Sequence, residues 1–350
     1  MINVNLGEKS YPVFIEKYDF SEMNTRLLEF LENKNYVVVF SKKVYKLYGK
    51  IFDFNKKNIF VLDDGEKEKS FKNYKKIMDF CLKRNLTRED FIIAFGGGVV
   101  GDITGFVAST YMRGINFVQI PTTLLACVDS SVGGKNAINS NLGKNLIGCF
   151  YQPKAVFINV NFLKTLSLRE FKTGLGEIVK YSFIEKSCGF EKFNFINFLN
   201  ENYQKILDYD TNILLKVIEI CIKLKISVIQ KDEKENNLRK ILNFGHTLGH
   251  SIEAYTKYKK YTHGECVIKG IRFAFDLALK NKLIEKDYYF IMEDLLKKFE
   301  FRQIPDIGIK KLIPIMKKDK KSLSDYILFI LPNGFGEVGE YKFNDLLTIF

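Results

Sequence analysis

Short apolar runs alternate with amphipathic ones through the first half of the chain. Tyr36 to Phe40, Asn58 to Leu62, Phe91 to Phe95, Asn116 to Ile120 and Ala155 to Asn159 read as strands, with helical periodicity between most of them. This rhythm predicts an α/β domain with a Rossmann-like, mostly parallel sheet covered by helices. Ahead of it, Ile2 to Leu6 and Tyr11 to Ile15 flank a Gly-containing turn and read as a hairpin. After about Thr165 the apolar residues fall three and four apart, as in Ile213 to Ile229 and Gly264 to Leu279, which predicts a mainly α-helical second half. Near the end, Tyr326 to Leu331 and Glu337 to Tyr341 surround Pro332-Asn333-Gly334 and read as a small hairpin before a last helix. The expected division is 1–165 for the α/β domain and 166–350 for the helical one.

Composition narrows the class without naming a function. A chain 46% apolar and 27% charged can bury a core and is not of disordered type. No run approaches the roughly 18 apolar residues of a membrane span, and Met1 to Glu8 lacks a basic stretch followed by an apolar one, so a cytoplasmic protein without membrane contact is expected. The six cysteines are scattered and form no C-x-x-C pair, which predicts reduced, mostly buried thiols. The net charge of +13 is compatible with nucleic acid, an acidic membrane or an anionic small substrate. No nucleic-acid motif accompanies it, and the lysines lie scattered among Asn, Ile, Phe and Tyr, as on a solvated surface.

Two constellations carry chemistry. Directly after the strand FIIAF come Gly96, Gly97, Gly98, Val99, Val100, Gly101 and Asp102, which fit G-x-G-x-x-G and lead into an apolar helical stretch. Glycines there let the backbone turn sharply and approach a pyrophosphate, whose charge meets helix N-terminal amides. The plainer reading is a tight strand-to-helix turn. These glycines follow the third strand of the domain rather than the first, with no acid about 20 residues on, so a nucleotide is expected in a variant arrangement. Gly65-Glu66 with Lys69, after NIFVL, could add an acid for ribose hydroxyls and a cation for phosphate; alone it reads as a surface turn.

The second constellation is histidine. All three, His246, His250 and His263, fall in one short stretch. His246 and His250 are four apart and share a helix face, as metal-binding pairs do. A catalytic zinc commonly takes two histidines and a carboxylate and leaves a position open. Glu177, Glu253 and Glu265 are all available as the carboxylate, and one histidine could instead shuttle protons. Core or capping histidines at helix ends are the alternative.

Between these lie Pro121 to Lys135 (PTTLLACVDSSVGGK) and Gly143-Lys144-Asn145. Together with Gly96 to Asp102, Tyr111 to Gly114 (YMRG), Gly174 to Tyr181 (GLGEIVKY) and the histidine segments, the series resembles the 3-dehydroquinate synthase family of sugar phosphate cyclases in order and spacing, over nearly the whole chain. The resemblance implies an active site in the cleft between an NAD-binding domain and a helical metal- and substrate-binding domain. It implies Glu177, His246 and His263 as ligands of zinc, with cobalt as an alternative, and His250 as an acid–base group. Implied substrate contacts are Asp129, Lys135, Asn145, Lys180, Lys225, Arg239, Asn243 and Lys320, with Arg113 reaching across a homodimer interface. Of these, Lys135, Lys180, Arg239 and Asn243 join His250 as catalytic. Implied NAD contacts are Glu66, Lys69, Gly97, Gly98, Asp102, Thr122, Thr123, Lys144 and Thr165. The implied enzyme is a lyase that takes a small phosphorylated anion, 3-deoxy-D-arabino-heptulosonate 7-phosphate, to 3-dehydroquinate and phosphate. Such a substrate needs several fixed cations, which the Lys and Arg of these motifs supply. Ser41-Lys42-Lys43 stands where an acid or amide for the adenosine ribose is expected, and either Lys320 or Lys321 could be the lysine that reaches the substrate. A different cyclase or a metal-dependent polyol dehydrogenase is the nearest alternative.

Overall fold

The computed structural model describes residues 1–319 and 326–344. The chain divides into two compact units, Met1–Leu166 with Leu214–Ile226, and Ser167–Ile213 with Ser227–Phe350.

The first unit contains strands β1 (Ile2–Val4), β2 (Tyr11–Glu16), β3 (Tyr36–Ser41), β4 (Ile59–Leu62), β5 (Phe91–Gly96), β6 (Asn116–Pro121), β7 (Lys135–Ser140), β8 (Gly143–Phe150) and β9 (Ala155–Asn159). Its helices are α1 (Phe20–Phe30), α2 (Lys42–Tyr48), α3 (Phe71–Lys83) and α4 (Gly98–Thr110). Seven strands form one sheet in the order β1-β2-β9-β6-β5-β3-β4, parallel apart from the β1–β2 hairpin. Strands buried on both faces explain the unbroken apolar runs. Val38, Phe40, Ile93 and Phe95 point into one core beneath α1, while Val37, Val39, Ile92 and Ala94 point into a second one that takes in Ile77, Val100 and Ile103. Strand order reverses between β3 and β5, because β4 lies outside β3 and β6 lies on the other side of β5. In open α/β sheets, ligands bind beyond the carboxyl ends of the strands at such a reversal, and Gly96 to Gly98 leave β5 there.

Several expectations needed adjustment. The antiparallel hairpin β7–β8 was absent from the reading of the sequence, because Lys135, Gly143 and Lys144 break any apolar alternation. β1 stops at Val4, since Gly7–Lys9 closes a helical turn, and β4 starts at Ile59, after the turn Lys56–Asn58. Helix α7 (Thr211–Ile229, after α5 and α6 of the second unit) has the expected helical period, but its segment Leu214–Ile226 groups with the first unit. An ion pair from Lys225 to Asp129 ties the segment to that unit.

The second unit contains α5 (Leu168–Ser182), α6 (Phe195–Leu207), α8 (His246–Tyr255), α9 (His263–Lys280), α10 (Lys286–Lys298), α11 (Ile309–Asp319) and the antiparallel hairpin β10–β11 (Ile327–Gly334, Glu337–Phe343). The expected last helix lies outside the described residues. Ser167 caps α5, and Thr262 caps α9 in a reciprocal box with Glu265. Helices α5 and α9 touch backbone to backbone: a Cβ on Gly264 would stand 2.3 Å from the Thr173 carbonyl oxygen. Among the described residues, no helix is long and apolar enough to cross a membrane.

Candidate active site

In the second unit, the close approach of α5 and α9 sets Glu177 against His263, and α8 brings His246 to the same point. Glu177 is fully buried, the His246 side chain is 12% exposed and His263 25%. One carboxylate oxygen, Glu177 Oε1, lies 3.4 Å from His246 Nε2 and 3.2 Å from His263 Nε2. His246 Nδ1 lies 2.9 Å from the Phe244 carbonyl, which can only accept, so Nδ1 carries the proton and Nε2 presents a lone pair. Burial pushes the His246 imidazole down to about 3, against the pull of Glu177, and keeps it neutral. Burial also disfavours the His263 imidazolium, but Glu253 and Glu177 outweigh it and raise its pKa to about 10. A carboxylate and two imidazole nitrogens whose donor atoms all lie within 4.8 Å suit a divalent cation of zinc type.

Two further carboxylates were open to that role, and the structure uses both otherwise. Glu265 accepts the Thr262 N–H at 2.8 Å in the α9 cap. Glu253 reaches the far nitrogen of His263, Nδ1, at 3.3 Å, the position from which a carboxylate orients a metal-binding imidazole. His250, Glu253 and His263 form a second group of converging donors that shares His263 with the first. The His250 ring stands 5.1 Å from His246 and 6.0 Å from His263, centroid to centroid.

One cation adjoins the cluster, and the loop before α8 holds a buried second one. Lys180, one turn beyond Glu177, is buried and places Nζ 2.5 Å from Glu177 Oε2. Arg239 is 1% exposed and donates to the Glu233 carbonyl, while Asn243 donates to Glu235 at 2.7 Å. The loop that carries them is shaped by Asp232, whose carboxylate accepts the N–H groups of Asn236, Asn237 and Arg239.

In the first unit the glycine turn is bare backbone. A Cβ on Gly97 would meet Thr123 at 2.9 Å, and one on Gly98 would meet Ser130 at 3.1 Å. Gly97 caps α4, whose first turn holds no acid, so its amides favour an anion. Thr122 is buried and donates its N–H to Gly96. Beside the turn, Lys69 is buried at 3% exposure and bridges Asp102 at 2.5 Å, the Asn145 side-chain carbonyl, and Glu66 at 3.7 Å. Burial opposes its charge, yet Asp102 and Glu66 hold the Lys69 pKa above the usual value. Lys144 approaches Glu66 at 4.0 Å. Lys225 binds both the carbonyl and the carboxylate of Asp129, at 2.7 and 2.9 Å. Lys135 is exposed at the start of β7, and Thr165 bonds Tyr48 at 2.7 Å. Arg113 is exposed on a turn where both it and Met112 have positive φ, 67° and 47°. Ser41, in the ribose position, instead caps α2 through the Val44 N–H. Lys320 and Lys321 lie outside the described residues.

Family models settle the ancestry. The model for the 3-dehydroquinate synthase N-terminal region matches residues 59–173, and the model for the C-terminal region matches 174–322. The chain belongs to the 3-dehydroquinate synthase family. It is 41% identical over 342 residues to the 3-dehydroquinate synthase of Alkaliphilus metalliredigens, covering 96% of this chain and 94% of that one. With the 3-dehydroquinate synthase of Dictyoglomus thermophilum it shares 43% identity over 342 residues, 96% of this chain and 93% of the other. Among solved structures, a 2-deoxy-scyllo-inosose synthase complexed with carbaglucose-6-phosphate, NAD+ and Co2+ matches with a TM-score of 0.83 at 25% identity, over 97% of this chain and 94% of that one. This family relationship covers both units, and so embraces the glycine turn and the histidine cluster alike.

Some residues that bond the candidate groups of this 3-dehydroquinate synthase family member carry no signal in the sequence. Asp232 and Glu235 sit in the run Asp232-Glu233-Lys234-Glu235, which looks like a solvated turn. Asn139 lies in the unforeseen β7–β8 hairpin, and only its hydrogen bonds reveal it.

Proposed function

We propose that this chain is an enzyme converting 3-deoxy-D-arabino-heptulosonate 7-phosphate to 3-dehydroquinate and phosphate, with NAD and a divalent cation, zinc or cobalt, as its cofactors. The observation that carries this reading is the convergence of Glu177, His246 and His263 on one point, buried and walled by Lys180, in a chain whose other unit presents a bare glycine turn at a sheet reversal. NAD held by the first unit would supply a reversible hydride acceptor for a hydroxyl-bearing carbon of the substrate, and a cation held by Glu177, His246 and His263 would polarise that hydroxyl, so that no NADH would accumulate.

The protein's own part is to bind, orient and move protons. Glu177, His246 and His263 hold the cation, and the Phe244 carbonyl and Glu253 fix the two imidazoles so that each Nε2 faces inward. Lys135, Lys180, Lys225 and Arg239, with Asp129, Asn145, Asn243 and Lys320, clamp the carboxylate, phosphate and hydroxyls of the substrate; fixed charges of this kind cost no reorganisation as phosphate departs. His250, beside the cluster without belonging to the ligand set, serves as the acid–base group. Glu66, Lys69, Gly97, Gly98, Asp102, Thr122, Thr123, Lys144 and Thr165 hold the dinucleotide. A cytoplasmic homodimer, with Arg113 given to the partner's site, belongs to the same reading; cysteines that form no disulfide with one another fit a reducing compartment.

The test is a phosphate-release assay with the heptulosonate phosphate, with NADH absorbance followed in the same cuvette. Phosphate should appear with no net NADH, and a chelator should stop it. NADH formed in proportion to substrate consumed would make the chain a dehydrogenase instead.

A further inference from the structure

We propose that Asn139 is a positioning residue that holds the nucleotide-side acid Glu66 and the substrate-side amide Asn145 in register through a single side chain. The inference deepens the function proposed above and rests on its assignment of those two residues.

Asn139 is the penultimate residue of β7, just before the hairpin turn. Its backbone N–H donates to the Lys69 carbonyl at 2.8 Å, which ties β7 to the turn after β4. Its side-chain Nδ2 donates to Glu66 twice, to the carboxylate at 2.8 Å and to the carbonyl at 3.3 Å. Its Oδ1 accepts the backbone N–H of Asn145 at 2.9 Å. That bond supports Asn145 in the left-handed region, at φ 56°, which asparagine adopts more readily than most other non-glycine residues. So held, Asn145 turns its side-chain carbonyl to Lys69, which itself bridges Glu66 and Asp102. The result is a closed ring of polar contacts in which Asn139 and Lys69 each bond both sides, Asn139 through the carboxylate of Glu66 and the backbone of Asn145.

Chemistry restricts who can stand there. The position must donate to a carboxylate and accept from an amide at once, which the two ends of a side-chain amide do. A carboxylate of the same shape still accepts from Asn145 but meets Glu66 with like charge. Alanine does neither. Removing one partner of the part-buried Glu66 contact costs on the order of 1–3 kcal/mol, which is roughly a five- to 150-fold change in an equilibrium constant.

The experiment uses the full chain and reads NAD affinity by calorimetry and KM and kcat for the heptulosonate phosphate. Asn139→Ala should raise the NAD Kd and the sugar phosphate KM together, each about tenfold. Asn139→Asp should raise the NAD Kd about tenfold while leaving KM within about twofold of wild type, a split that general loosening of the fold would not produce. Glu66→Ala and Asn145→Ala report on the two assignments. If they weaken NAD and substrate respectively while both Asn139 variants behave as wild type, the positioning role is overturned. Wild-type NAD affinity in Glu66→Ala overturns the nucleotide assignment and this proposal with it.

Discussion

A carboxyl group sealed from water pays heavily for its charge, and Glu185 shows how a single residue can set a pH response remote from the chemistry. It is fully buried after α5, with one oxygen accepting the Phe195 N–H at 2.7 Å at the start of α6. Burial pushes its pKa from 4.5 up to about 7, against that hydrogen bond and the nearby Lys186 charge. The unfolded chain therefore loses this proton near pH 4.5 and the folded one only near 7. Stability from this group is full below about pH 4.5, falls as pH rises through the interval, and is about 3 kcal/mol lower above 7. Glu185→Gln keeps an acceptor for Phe195 and does not titrate. In urea unfolding, the variant should gain on wild type between pH 4.5 and 8, and a pH-independent difference would contradict the account. Nothing in the sequence marked Glu185 as different from any other glutamate, since burial is set by distant packing. The cysteines were more legible: their spacing excluded a metal knuckle, and five of the six are buried thiols, with Cys149 half-buried.

At the scale of elements, the metal cluster depends on two helices coming closer than side chains allow. Gly176 and Gly264 face each other where α5 crosses α9, and the atoms a Cβ would strike are backbone, which cannot rotate away. Gly264→Ala should force α5 and α9 apart, cost about 1–3 kcal/mol, and weaken cation binding at least tenfold by moving Glu177 from His263. Competition with a chromogenic chelator measures this, and wild-type affinity would show that the ligand geometry does not need this contact. Periodicity revealed α9 and the paired histidines of α8, because both are strongly patterned. It could not show that the helices touch through glycine. The same limit hid β7–β8, where Lys135, Gly143 and Lys144 break the apolar alternation around the core residue Ile138, and it left Leu214–Ile226 with the second half, because an apolar helix looks alike whichever unit it packs into.

For the molecule as a whole, two sets of groups stand out: a glycine turn with neighbouring acid and lysine side chains in one unit, and a carboxylate–imidazole cluster in the other. Three histidines in one short stretch made the second set visible in the sequence, whereas its carboxylate lies on a separate helix and could be named only through the family resemblance. The net charge of +13 sits mostly on solvent-facing lysines, whereas the buried Lys69, Lys180 and Lys225 each face a carboxylate. The central claim is that Glu177, His246 and His263 together hold one divalent cation. X-ray absorption on the protein purified with its metal tests it most directly. The account predicts one zinc or cobalt per chain with two imidazole nitrogens and at least one carboxylate oxygen at about 2.0–2.2 Å, and loss of one nitrogen shell and of occupancy in His246→Ala. Sulfur in the coordination shell, or full occupancy with an unchanged shell in His246→Ala, would contradict it.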